Sequence, residues 1–182
     1  MQSGVNVMHT ATKRTSILLS AMASLALFSP TQSAAAVESY ANVSDNCDIP
    51  QNNCSYGDLH LYYNTIAHGG YTSARASFYA NIYNYAGQSV SPNGAAVVHY
   101  KFVFGKSDSG HNSSGTGAAV KNQAGSVENC APADSYRVYY NSGYSGSSQY
   151  FQHTYGSMYC AGGKQVDLNG TLHNNNASQH FA

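Results

Sequence analysis

The sequence predicts an all-β domain, and three observations carry that prediction. A phrase recurs: Leu59-His60-Leu61-Tyr62-Tyr63-Asn64 aligns with Tyr136-Arg137-Val138-Tyr139-Tyr140-Asn141 at a constant shift of 77 residues, which also places Gly69 on Gly146. Repetition at a fixed spacing says that the fold is built from two similar units. Apolar residues then alternate with polar ones through the candidate strands, and no segment beyond the first 36 residues sustains a 3.6-residue period. Finally, clusters such as Ser91-Pro92-Asn93-Gly94 punctuate the runs with turn chemistry.

Taken in order, the chain opens with a leader. Lys13-Arg14 supplies a positive start, Ile17 to Phe28 is an apolar run of 12 residues, and Ser33-Ala34-Ala35-Ala36 offers the small residues of a cleavage site. The run is too short to span a bilayer. Residues 1–36 therefore read as a signal peptide, cleaved after Ala36 (Ala35 also fits), and the product as secreted and extracellular, with no membrane attachment after cleavage. Residues 37–56, polar and containing Pro50, read as a mobile lead-in made tight by a first disulfide. The domain follows over 57–182, its first motif at about 57–126 and its second at about 134–182, joined near 127–134.

Within it, Leu59, Leu61 and Tyr63 share one strand face, as do Tyr136, Val138 and Tyr140. Ser77 to Ile82 is a further candidate strand. Ala96 to Phe104 is the strongest, with Val98, Tyr100, Phe102 and Phe104 on one side. Gln149 to Thr154 and Gln165 to Leu168 are shorter, and Leu172 opens another candidate. Helical turns are expected only over Ala118–Gln123 and around Asn84.

Removing 36 of the 182 residues leaves 146, enough for one domain with a core. It also removes Lys13 and Arg14, leaving 6 basic against 8 acidic side chains. So few cations form no phosphate-binding patch, which excludes nucleic acid as a partner. Four cysteines remain: Cys47, Cys54, Cys130 and Cys160. An even count in an exported chain reads as two disulfides. Of three possible pairings, Cys47 with Cys54 and Cys130 with Cys160 is the expected one. A four-cysteine zinc site fits poorly, because no Cys-x-x-Cys pair is present.

Tyr139-x-x-x-x-Tyr144-x-Gly146 resembles the signature of the βγ-crystallin Greek key: an aromatic, four residues, an aromatic, one residue, then glycine. The spacing suits a hairpin folded back over its own sheet, with glycine supplying a positive φ and the rings covering the bend. The first unit keeps Tyr62 and Gly69 but has Ala67 where the second ring belongs. The wider pattern, roughly over residues 54–182, is similar to the exported βγ-crystallin-like proteins of actinobacteria grouped with peptidase inhibitor family I36, whose founding type is the Streptomyces metalloproteinase inhibitor. The resemblance implies a sandwich of two Greek keys and a function in binding an extracellular metalloprotease. The alternative is a non-inhibitory structural or cell-surface binding module, with weak calcium binding as an option. Either would act as a monomer.

The same resemblance raises calcium, because many βγ-crystallins bind it through a loop reading Asn/Asp-Asn/Asp-x-x-Ser/Thr-Ser. Asn174, Asn175 and Ser178 match that pattern until its last position, whereas Lys121 to Ser126 places a cation first. With no carboxylate in either loop, a solvated turn is the favoured reading, and no cofactor is expected. Catalysis is not expected either. Carboxylates are scattered, no nucleophile elbow or His-Glu-x-x-His motif occurs, and His173 and His180 read as loop residues. For protease contact the best-placed segment is Ser157 to Gly162, with Met158, Tyr159, Cys160 and Ala161 beside a disulfide that would hold a strained loop.

Overall fold

A computed structural model describes residues 37–92, 94, 96–153 and 164–182. Ten strands and no α-helix are found among them: β1 (Val37–Val43), β2 (Leu59–Tyr62), β3 (Arg75–Phe78), β4 (Gly87–Val90), β5 (Ala96–Phe102), β6 (Ser126–Asn129), β7 (Tyr136–Asn141), β8 (Ser145–Phe151), β9 (Val166–Asp167) and β10 (Ser178–Phe181). They form three sheets, ordered β3-β2-β6-β9, β10-β7-β8 and β1-β5-β4. The all-β prediction holds.

The first two sheets are built alike. β2 pairs antiparallel with β3 and β6, while β7 pairs antiparallel with β8 and β10. Each is then joined by a piece of the other half of the chain, a strand in one case and a single bridge in the other. β9, from the second half, pairs with β6, and Ile82, from the first half, bridges to Gln179 on β10. The order β3-β2-β6-β9 is thus mirrored by β8-β7-β10-Ile82.

Backbone hydrogen bonds repeat the correspondence. The Gly125 amide donates to the Tyr62 carbonyl at 2.9 Å, and the Ala177 amide to the Tyr139 carbonyl at 2.8 Å. Across the halves, the Leu168 amide reaches the Gly125 carbonyl at 3.0 Å and the Tyr85 amide reaches the Ala177 carbonyl at 2.8 Å. The alternating residues of the repeated phrase supply the core between the two sheets: Leu59, Leu61, Tyr136 and Val138 are each fully buried, with Phe78, Tyr85, Phe104 and Leu172 around them. Burying each such side chain contributes on the order of 1.5–3 kcal/mol.

Several expectations need correction. Residues 37–56 are more than a mobile lead-in tightened by the first disulfide: β1 runs parallel to β5 over seven residue pairs, and short 3-10 turns span Asn46–Asp48 and Pro50–Asn52. Alternation was too weak in that polar stretch to announce a strand whose side chains are mostly exposed. The strand expected over Ser77–Ile82 stops at Phe78, because Ala80 takes a positive φ of 62°. β6 begins where the first motif was expected to end, so that motif runs to Asn129. Leu172 lies in a turn, and the strand beyond it is β10. No helix forms over Ala118–Gln123 or at Asn84, where the chain turns. One disulfide is described, Cys47–Cys54, with Cα atoms 5.0 Å apart.

Candidate functional site

The two bends come first, because they hold the paired sheets in shape. Gly69 and Gly146 both lie in the left-handed region, at φ 83° and 80°, where a Cβ is disfavoured. In the second bend Tyr139 and Tyr144 pack edge to face, with ring centroids 6.3 Å apart. In the first, Ala67 is exposed, and Tyr71 supplies the ring instead, 5.5 Å from Tyr62 and nearly perpendicular to it. The aromatic pair is therefore kept in both bends, with its second member displaced along the chain. A fixed-spacing signature cannot find such a displaced ring.

Below the bends the two Asn-rich loops bind each other. The Asn122 amide donates to the Asn176 carbonyl at 2.7 Å, and the Asn174 amide to the Ala124 carbonyl at 3.0 Å. Asn122 and Asn174 occupy matching left-handed positions, φ 62° and 57°. Ser126 and Ser178 likewise match: each hydroxyl donates to the carbonyl of an equivalent asparagine, Asn64 at 2.6 Å and Asn141 at 2.7 Å.

These bonds bear on calcium. The Ser178 hydroxyl also accepts from the Tyr144 amide at 3.1 Å, and Asn175 turns its side-chain amide to the His173 carbonyl at 3.2 Å. A pocket of about 160 Å³ lies here, lined by Lys121, Asn122, Asn141, Ser142 and Asn175 among others. Lys121 places its ammonium 3.0 Å from the Ser142 hydroxyl, so the local cation is a side chain. Asn174 is exposed, and no carboxylate lines the pocket.

Sequence reasoning found no pair of carboxylates, yet the fold makes one. Tyr62, at the end of β2, donates to Asp108 Oδ2 at 3.0 Å and to Glu128 Oε2 at 3.1 Å. Sharing one phenol keeps these two carboxylate oxygens no more than about 6 Å apart, so the pair is close enough to be compared with paired-carboxylate hydrolases. Their remaining oxygens are also engaged. Arg75 forms an ion pair with Asp108 Oδ1, and Tyr71 donates to Glu128 Oε1 at 3.3 Å. Burial raises the Glu128 carboxyl above its ordinary range, and the two tyrosine bonds work against that rise. Through the shared Tyr62 proton, Tyr71 and Arg75, the group fastens the loop around Asp108 onto the β2–β6 sheet.

The same region brings His60, Glu128 and Cys130 together, their ligand atoms all within 4.8 Å. Cys130 is disulfide-bonded, so the thiolate a metal would need is not supplied. Burial holds the His60 imidazole neutral, its pKa lowered to about 3, with Nε2 3.2 Å from the Gly57 carbonyl. The donor set does not fit a metal. Of the segment expected to contact a protease, Met158, Tyr159, Cys160 and Ala161 lie outside the described residues, as does the leader. Its described flank is anchored: the Gln165 amide donates to the Tyr71 hydroxyl at 3.0 Å and the Gln165 side chain to Ser126 Oγ at 2.9 Å.

No protein-family model, curated protein or solved structure matches the chain. No helix among the described residues is long and apolar enough to cross a membrane.

Proposed function

We propose that the chain is an exported, non-catalytic binding domain of βγ-crystallin-like architecture, and that its partner is an extracellular metalloprotease. The observation that carries the reading is the mirrored order, in which the second half lends β9 to the first sheet and the first half lends the Ile82 bridge to the second. Two interlocked Greek keys generate that order, and the paired aromatic–glycine bends accompany it. Within this reading the second disulfide joins Cys130 to Cys160. It tethers the segment holding Met158, Tyr159 and Ala161 to the end of β6. Anchoring a contact segment at both flanks lowers the ordering cost of binding.

The ties of both carboxylates to Tyr62, Tyr71 and Arg75 favour a structural role for that pair over catalysis. Calcium plays no part in this reading, because Lys121 already supplies the positive charge at the paired loops. Titrating the protein lacking residues 1–36 into a thermolysin-type protease tests it. Stoichiometric loss of protease activity, unchanged by added calcium, is the expected result. Full protease activity at micromolar protein would instead favour a non-inhibitory cell-surface or structural module.

A further inference from the structure

Beside Cys54 lies a pocket of about 360 Å³ that none of the preceding chemistry uses. Its walls combine two tyrosine rings, Tyr56 and Tyr79, with two carboxylates, Asp58 and Asp134, beside Cys54 and Pro132. The walls are fixed before any ligand arrives. Tyr79 is held through both backbone groups by the Asn46 side chain, at 2.7 and 3.0 Å. Asp58 has its amide on the Phe78 carbonyl at 3.1 Å and its carbonyl on the Cys130 amide at 2.8 Å. The Asp134 carbonyl accepts from Asn129 at 2.9 Å. The disulfide pins the remaining edge.

Charge is what this pocket leaves unmatched. Asp58 is 7% exposed, and its Oδ1 accepts from the Tyr136 hydroxyl at 2.7 Å. Among the described residues, no other residue donates to its Oδ2, and none donates to the Asp134 carboxylate. No basic side chain forms an ion pair with either; among the described residues the ion pairs are Arg75–Asp108 and His99–Glu38. A buried carboxylate without a cation is costly, and burial together with Asp134 and Asp45 raises the Asp58 pKa accordingly. The pocket thus offers two carboxylate acceptors beside the preset Tyr79 ring.

We propose that this pocket receives the side chain of an arginine from a partner polypeptide. A planar guanidinium matches both features, because its fork suits paired carboxylate acceptors and its face stacks on tyrosine. Its aliphatic stem would lie along Pro132. A hydroxyl-rich ligand such as a sugar could use the rings, but it would leave both negative charges uncompensated. The inference concerns any arginine-bearing partner, so it stands apart from protease inhibition and can survive its failure.

The test uses the 15N-labelled protein lacking residues 1–36, titrated with acetyl-Gly-Arg-Gly-amide or with its citrulline counterpart, which keeps the shape and removes the charge. Saturable shifts at the amides of Asn53, Ser55, Tyr79 and Asp134 are expected, with the arginine peptide binding about tenfold tighter than the citrulline one. Asp134→Asn should weaken the arginine peptide severalfold and leave the citrulline peptide unchanged. Asp134 is exposed and its side chain supports nothing else, so that variant keeps the fold. Equal binding of the two peptides, no saturable shifts at these amides, or indifference to Asp134→Asn would each overturn the proposal.

Discussion

Asn176 shows how much one buried amide can hold. Fully buried, it donates to the Val120 carbonyl at 3.0 Å and accepts from the Ala124 amide at 2.9 Å. Asn176→Ala orphans both groups, and a loss of about 2–4 kcal/mol in urea unfolding is expected. His60 gives a second residue-scale prediction. Its folded pKa of about 3 lies below the ordinary value near 6.5. The unfolded chain therefore binds a proton that the folded one refuses, so His60 withdraws stability as pH falls from about 6.5 toward 3. Asp58 and Glu128, raised by burial, act oppositely: the folded form protonates first, and they add stability as pH falls through their raised pKa values. NMR of the imidazole should show a neutral ring at pH 5; a ring that titrates near 6.5 would remove this assignment. Neither residue was singled out from sequence, where Asn176 was one of three adjacent asparagines and His60 sat unremarked in a strand.

At the scale of elements, legibility followed burial. β2 and β7 stood out because one face enters the core, leaving period-two alternation in the sequence. β1 and β4 did not, because their sheet packs on the core mainly through Phe102 and the half-buried Val90 and Tyr100. The bends were readable through Gly69 and Gly146, yet Tyr71 was missed because its ring reaches Tyr62 from beyond the expected position. Two predictions belong here. Replacing Cys47 and Cys54 together by serine should cost about 2 kcal/mol, as expected for so short a loop, read as a lower urea midpoint. Gly57→Ala should cost about 3 kcal/mol, because its Cβ would collide with the backbone nitrogen of Phe78 and the carbonyl carbon of Ser77 in β3.

For the molecule as a whole, the exchanged strands determine how it unfolds and what it can present. Each half leans on the other, since β9 completes the first sheet and Ile82 bridges to the edge of the second. The repeat of 77 residues announced two units, but not the crossing of a strand from each into the other. The crossing strands are short, Val166–Asp167 on one side and a single bridging residue on the other, too brief to leave a pattern. Mutual dependence should make urea unfolding one cooperative transition, coincident by tyrosine fluorescence and circular dichroism; separated transitions would mean independent halves. The most direct test of the interlocked account is an NMR cross-peak between the amide protons of Ile82 and Gln179, whose amides donate to each other's carbonyls at 3.0 Å. Its presence, together with the Val127–Val166 pairing, is the predicted result. Its absence in a folded sample with the β2–β3 and β7–β8 pairings intact would contradict the exchange, and with it the crystallin-like reading on which the proposed function rests.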